Sequence, residues 1–286
     1  MRADPQDRPH HLREAPRASL LPWVLVLAVA LVALAGGYYA WFAREPAPAR
    51  PPASPPAAEP SAAAPPPAIR HPLPAAETAT PLPSLDMSDS LVRQTLAALL
   101  GSKVFNELVF PSGIIRRVVA TVDNLPRARA PRRVFPLYDV PGGFRTSGRD
   151  EQLAIAPENS ARYTRYVSAL ESVDTAALVK AYVQLYPLFQ HAYEELGFPG
   201  RHFNDRLVEA LDDLLAAPEV APPVRLIRPK VLYEYADPDL ETRSAGQKIL
   251  IRMGADNASR VKAKLREFRR ALIDAAAAPA AKPPGS

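Results

Sequence analysis

Residues 174–197 read DTAALVKAYVQLYPLFQHAYEELG and carry a clear helical pattern. The large apolar residues of this stretch follow one another at steps of three or four, so they share one face of a helix. They are Leu178, Tyr182, Leu185, Phe189, Tyr193 and Leu196. Asp174 suits the N-cap, Pro187 predicts a kink, and Gly197 predicts the end of the helix.

Helical patterns continue on both sides of this stretch. They predict helices at 88–100, 103–109, 112–122, 159–170, 204–217, 239–252 and from 256 onward. Residues 125–157 contain several prolines and a glycine pair, which predict a long loop with one small hairpin. Residues 224–235 predict a short strand or extended segment. The expected fold is mainly α, a single helical domain of about seven helices with at most a small β-hairpin.

The composition sets the bounds of this domain. The chain has 34 prolines among 286 residues, concentrated between residues 45 and 83, and it has no cysteine. Proline lacks the amide donor and fixes φ, and few large apolar residues are present there, so residues 44–83 predict a disordered linker. The alternative for this segment is a docking site for a proline-recognition module. The helical domain is predicted at residues 84–274, followed by a disordered tail at 275–286.

An uncharged stretch at residues 20–43 predicts a transmembrane anchor. Twenty-four helical residues extend about 36 Å, which exceeds a bilayer core of about 30 Å. Four arginines precede this stretch and two follow it closely. By the positive-inside rule, residues 1–19 form a cytoplasmic tail and the C-terminal domain is periplasmic. The alternative is a cleaved signal peptide ending near residues 33–35, which also exports the domain.

Two segments carry a resemblance to a known family. Residues 181–218 and 232–268 are similar to a bacterial domain-of-unknown-function family, the one numbered 3014. The most specific parts are YADPDLE at 235–241, and QK at 247–248 followed by RMG at 252–254. The resemblance covers roughly Pro83 to Ile273. It implies an envelope location in Gram-negative bacteria, and it implies no particular activity or catalytic residues.

His191, Glu194 and Glu195 are the best acid–base candidates, because side chains three and four residues apart share a helix face. A zinc-protease pattern needs a second histidine on the same helix, and none is present. The alternative is an ordinary solvated helix face. No catalytic residue, metal site or cofactor is predicted, and the lack of cysteine excludes disulfides and thiolate catalysis.

The acidic run Asp237–Glu241 is similar to the start of a calcium loop. Such a loop needs glycine at its sixth position and a bidentate acid at its twelfth, where this chain has Thr242 and Lys248. The run therefore predicts a helix start, with Asp237 in a turn or Asp239 as the cap. A ligand site that uses Asp237 and Asp239 remains the alternative.

The binding candidates are a basic loop and a tyrosine-bearing helix face. They comprise Arg127, Arg129, Arg132 and Arg133 in the loop and Tyr182, Tyr186 and Tyr193 on the helix. Clustered arginines suit phosphate or carboxylate groups of lipids and wall polymers. The alternatives are a solvated loop and core tyrosines. Because the net charge is only +5 and the predicted location is the envelope, no nucleic acid is expected.

Two functions follow from this pattern. The first is a single-pass inner-membrane protein whose periplasmic domain is a non-catalytic binding or scaffolding module for an envelope protein or an anionic wall or lipid polymer. The alternative is an envelope hydrolase acting on wall or lipid material, with His191, Glu194 and Glu195 or Asp237 and Asp239 in its site.

Overall fold

The computed structural model describes residues 68–74 and 81–277, and the side chains of 276 and 277 are outside this description. The predicted cytoplasmic tail 1–19, the predicted anchor 20–43 and residues 278–286 all lie outside the described residues. Only 68–74 and 81–83 of the predicted linker are described. Within the described part of the chain, no helix combines the length and apolar character that crossing a bilayer requires.

The fold is mainly α, as the sequence predicts. The described ranges contain nine α-helices. They are α1 Asp89–Leu100, α2 Ser102–Leu108, α3 Ile114–Asn124, α4 Asn159–Ser172, α5 Thr175–Glu195, α6 Phe203–Leu215, α7 Pro238–Glu241, α8 Ala245–Arg252 and α9 Ala255–Ala277.

One predicted helix is divided into two. The sequence predicts a single helix over 239–252, whereas the structure has α7 and α8 with a break between them. The break falls at Ser244, whose hydroxyl accepts a hydrogen bond from the Gln247 amide at 3.1 Å and so caps α8. Serine competes with the helix for backbone hydrogen bonds, which favours a helix start over helix continuation at this residue.

Two small antiparallel hairpins complete the fold. Strand β1 (Thr146–Ser147) pairs with β2 (Ala154–Ile155), and β3 (Leu226–Ile227) pairs with β4 (Glu234–Tyr235). The hairpins are joined through backbone hydrogen bonds from Leu226 to Leu153 at 2.8 Å and from Ile155 to Val224 at 3.0 Å. The first lies in the predicted long loop and the second in the predicted extended segment.

Helix α5 is the centre of the core. Its N-cap is Asp174, whose carboxylate accepts a hydrogen bond from the Ala177 amide at 2.8 Å, as predicted. Helices α3, α6 and α9 all pack against it. Phe189 of α5 stacks on Phe203 of α6 with ring centroids 5.6 Å apart. Ile115 of α3 and Leu272 of α9 are each only 1% exposed.

Replacement of Ile115 by alanine tests how much the packing around α5 contributes to stability. We expect Ile115→Ala to lower the free energy of unfolding by about 2–5 kcal/mol, because it leaves a cavity in a closed core. Met87 is 72% exposed, so Met87→Ala is the control and should change stability by less than about 0.5 kcal/mol. Thermal unfolding followed by circular dichroism measures both. Equal effects of the two substitutions would contradict this description of the core.

Candidate functional site

A cleft of about 390 Å³ opens where the ends of α3 and α5 meet the start of α6. Four arginines line it, and they come from three separate parts of the chain. They are Arg70, Arg127, Arg201 and Arg206. Because guanidinium groups present rigid, paired donors, such a concentration is suited to carboxylate or phosphate groups. This arginine cleft is the strongest candidate site in the described part of the molecule.

Asp123 at the end of α3 organises the inner wall of the arginine cleft. Its side chain is only 7% exposed and accepts hydrogen bonds from Arg127 at 2.7 Å and from Arg206 at 3.2 Å. The Asp123 carbonyl accepts a further bond from Arg206 Nη2 at 2.6 Å. A carboxylate at this depth is stable only with such donors around it. Arg206 is therefore fixed in place, and it also pairs with Glu209 at 3.0 Å.

A segment of the predicted linker forms another wall. The amides of Arg70 and His71 donate to the Asp205 carboxylate at 3.1 and 2.8 Å. Asn204 Nδ2 donates to the His71 carbonyl at 2.8 Å, and Leu73 packs against the main core. Residues 68–74, which we call the strap, are thus held against the start of α6 although they belong to the stretch predicted as linker.

The outer arginines of the cleft differ from the inner pair. Arg70 and Arg201 are exposed, and within the described residues neither guanidinium has a carboxylate within 4.0 Å. The backbone at Arg201 is fixed, because its carbonyl accepts a hydrogen bond from Gln190 Nε2 at 2.8 Å. The three carboxylates of the cleft already have partners. These are Asp123 and Glu209, paired with arginines, and Asp205, bound to the strap.

The predicted basic loop reaches the arginine cleft only at Arg127. From there the chain runs back along α3, held by Thr121 Oγ1 on the Val134 carbonyl at 2.9 Å and by Arg117 Nη1 on the Arg133 carbonyl at 2.6 Å. Arg129 and Arg133 are exposed, and Arg132 pairs with Asp139 at 2.7 Å. Both members of that pair are more than 70% exposed. The four arginines therefore form a line beside α3, and only the first is part of the cleft.

The three predicted tyrosines belong to the core and its edge. Tyr182 is buried, and its hydroxyl donates to Asn204 Oδ1 at 3.0 Å. Tyr186 is partly buried and its hydroxyl donates to Gln190 Oε1 at 3.1 Å. Tyr193 is 3% exposed, stacks on Phe198 at 4.7 Å and lines the cleft. Burial raises the pKa of all three phenols, so they stay neutral. Tyr182 is therefore a core residue, not part of an exposed binding face.

The acid–base candidates lie outside the arginine cleft. His191 Nε2 is 3.3 Å from Glu195 Oε1, on a surface where the two side chains are 59% and 42% exposed. Glu195 also accepts a hydrogen bond from Arg116 at 3.0 Å, which raises the pKa of that guanidinium. Glu194 instead accepts from Gln190 at 2.8 Å. His191 and Glu195 are thus part of a solvent-exposed network of charged side chains along the end of α5.

The Asp237–Glu241 run has a structural role in the described molecule. Asp237 Oδ1 accepts from the Asp239 amide at 2.8 Å, so Asp237 rather than Asp239 is the cap of α7. Glu241 accepts from the Tyr235 amide at 2.9 Å and from Lys248 Nζ at 2.6 Å. These bonds join α7 and α8 to strand β4. The residues of the family-specific YADPDLE and QK motifs therefore contact one another.

Several residues of the arginine cleft carry no sequence pattern that identifies them as a site. Arg201 and Arg206 belong to no basic run, and Asn204 and Asp205 are recognisable only as a helix start. Asp123 gives a weak signal. It follows Val119 and Val122 on the apolar side of α3, where a carboxylate needs a buried cationic partner.

Removal of the Asp123 carboxylate should test whether it organises the inner wall. We expect Asp123→Ala to cost about 1.5–3 kcal/mol of stability, because the largely buried Arg206 loses one of its two carboxylate partners and keeps Glu209 and the carbonyl of residue 123. Asp139→Ala removes an exposed pair and should cost no more than about 1 kcal/mol. Urea denaturation followed by far-ultraviolet circular dichroism compares the stabilities of the two variants. A cost for Asp123→Ala as small as the control would mean that the pairing with Arg206 is not structurally important.

Comparison with known proteins gives the chain a family and nothing further. The model of the family described as "Protein of unknown function (DUF3014)" matches residues 114–269, which include α3 through most of α9. No curated protein and no solved structure matches the chain. The matched region contains Asp123, Arg127, Arg201 and Arg206, and it excludes the strap. Since this match spans more than half of the sequence, the chain belongs to the DUF3014 family.

Proposed function

We propose that this protein is a single-pass inner-membrane protein with its N-terminus in the cytoplasm. Its periplasmic helical domain is a non-catalytic binding or scaffolding module for another envelope component. The anchor at 20–43 and the proline-rich linker suggest the location, and the arginine cleft suggests how a partner is recognised. The group bound there is anionic, such as an acidic segment of an envelope protein or an acidic wall or lipid polymer.

The observation that carries this proposal is the charge arrangement of the cleft. Its carboxylates are already engaged, while the guanidinium groups of Arg70 and Arg201 have no acidic partner within the described ranges. Arg127 is half exposed and has further donors available beside its two hydrogen bonds to Asp123. An incoming carboxylate therefore meets guanidinium donors without displacing an existing acid. Hydrogen bonds to charged groups contribute about 1.5–3 kcal/mol each.

The exposed line from Arg127 to Arg133 extends this surface along α3. An elongated anionic partner that enters the cleft at Arg127 meets Arg129 next and then Arg133. These outer contacts are solvated, so they add to encounter and orientation more than to affinity. A polymer or an acidic peptide fits such a line better than a small molecule does.

The alternative function, an envelope hydrolase, has less support in the geometry. Its strongest observation is the His191–Glu195 distance of 3.3 Å. General acid–base chemistry benefits from an enclosed site that holds the substrate and excludes water. His191 and Glu195 are instead on an open helix surface, and Glu195 is shared with Arg116. The Asp237 carboxylate is used to cap α7 through the Asp239 backbone amide, and the Asp239 side chain is exposed on the surface.

Crosslinking in cells tests the arginine cleft directly. A photoreactive amino acid at His202, which lines the cleft, should crosslink the full-length protein to an envelope component. Arg201→Glu should reduce the adduct about tenfold, since about 1.4 kcal/mol corresponds to a factor of ten. Arg93→Glu changes the charge equally on an exposed face of α1 and should leave the adduct intact. An adduct that survives Arg201→Glu would contradict the proposed site.

The basic line is tested separately by charge reversal away from the cleft. We expect Arg132→Glu with Arg133→Glu to weaken the same adduct by a smaller factor and to reduce its sensitivity to salt. The reason is that exposed charges act mainly over distance and are screened within about 8 Å at physiological ionic strength. Yields compared at low and high salt measure this. Unchanged yield and unchanged salt dependence would remove the line from the binding surface.

A further inference from the structure

An exposed apolar tip projects from the second hairpin. Residues 227–232 read IRPKVL and run from the last residue of β3 through most of the turn before β4; we call them the hairpin tip. Val231 and Leu232 are each 76% exposed and Ile227 is 46% exposed. No large apolar side chain in the described ranges is more exposed than Val231 and Leu232. Two adjacent aliphatic side chains standing in water are unfavourable unless something covers them.

The hairpin tip is held on a firm base. Leu226 and Tyr235, which pair across the strands, are 4% and 3% exposed and belong to one hydrophobic cluster. Within the connection, Arg228 Nε donates to the Val231 carbonyl at 3.3 Å, and the Arg228 guanidinium lies 5.4 Å from the Tyr233 ring centre. The exposure of Val231 and Leu232 is therefore a property of a structured turn.

The charges of the tip select a partner. Arg228 and Lys230 alternate with its apolar residues, and the tip contains no acidic residue. The nearest acid along the hairpin is Glu234, which is in β4 at the base of the turn. Cations beside exposed aliphatic groups are the combination that binds anionic lipid, because the ammonium and guanidinium groups meet headgroup phosphates while the aliphatic groups enter the acyl boundary.

A protein partner fits this feature less well. Stable protein interfaces bury about 800 Å² on each side, whereas the tip offers only a few convex side chains. A bilayer surface accepts a small convex group without needing a complementary pocket. We propose that the hairpin tip inserts shallowly into an anionic phospholipid surface, with Val231 and Leu232 in the interfacial region and Lys230 against the headgroups. This contact is independent of the arginine cleft and of any ligand bound there.

Site-specific fluorescence tests the insertion in the full-length chain. Because the chain has no cysteine, Leu232→Cys accepts a single environment-sensitive dye without further changes. The labelled protein is reconstituted into phosphatidylcholine vesicles with or without about 30% phosphatidylglycerol, since anionic lipid attracts cations at the surface. We expect blue-shifted emission and quenching by nitroxide-labelled lipid in the anionic vesicles, and weaker effects in phosphatidylcholine alone.

Matched variants separate insertion from general membrane proximity. Met87→Cys, at a methionine that is 72% exposed, carries the same dye and should remain quenched by aqueous iodide in both vesicles. In the Leu232→Cys protein, Val231→Asp should abolish the lipid quenching, and Lys230→Glu should remove its dependence on phosphatidylglycerol. Equal iodide quenching at positions 87 and 232 in both vesicles would overturn the proposal. A blue shift in detergent that grows with protein concentration would also overturn it, since a second copy would then cover the tip.

Discussion

Burial of α5 on several sides is the constraint on which the other helices depend. A helix with a broad apolar face is stable only when neighbours cover it, and α3, α6 and α9 do so here. The stacked rings of Phe189 and Phe203 bring the end of α5 to the start of α6. That crossing also sets the position of the cleft, because Tyr193 is one turn further along α5 and Arg206 is one turn further along α6.

Electrostatic pairing then determines which cleft groups remain open to a ligand. In the inner wall Asp123 pairs with two arginines, of which Arg206 is largely buried and Arg127 remains half exposed. In the outer wall, the Asp205 carboxylate accepts hydrogen bonds from backbone amides. It therefore does not neutralise the charge of any arginine side chain. The net effect is a site whose acids are satisfied and whose outer cations are open. The outer cations stay open because Asp205 is bound by backbone amides, whereas Asp123 is bound by guanidinium groups.

The sequence could predict the elements whose signals are local. The apolar steps from Leu178 onward and the Asp174 cap define α5 because both depend on neighbours in the chain. The break at Ser244 is not predicted, since the apolar spacing continues across it and the side-chain cap is a short-range preference that competes with helix propagation.

The sequence pattern suits Tyr182 equally to the core and to a groove. Only the approach of Asn204, 22 residues later, assigns it to the core. The cleft could not be predicted, because Arg70, Asp123 and Arg201 meet through tertiary packing.

The strap gives the domain a defined point of mechanical attachment. Tension applied at Ala68 acts on the bonds from the Arg70 and His71 amides to Asp205 before it acts on α1. Leu73, which packs against the main core, and the Asn204 bond to the His71 carbonyl support them. A load there acts on the wall of the arginine cleft before it acts on the core. A ligand that contacts both Arg70 and Arg201 would bridge the strap to the domain and share that load. Occupancy of the cleft and the force needed to detach the strap are then coupled, as any two equilibria that share a state must be.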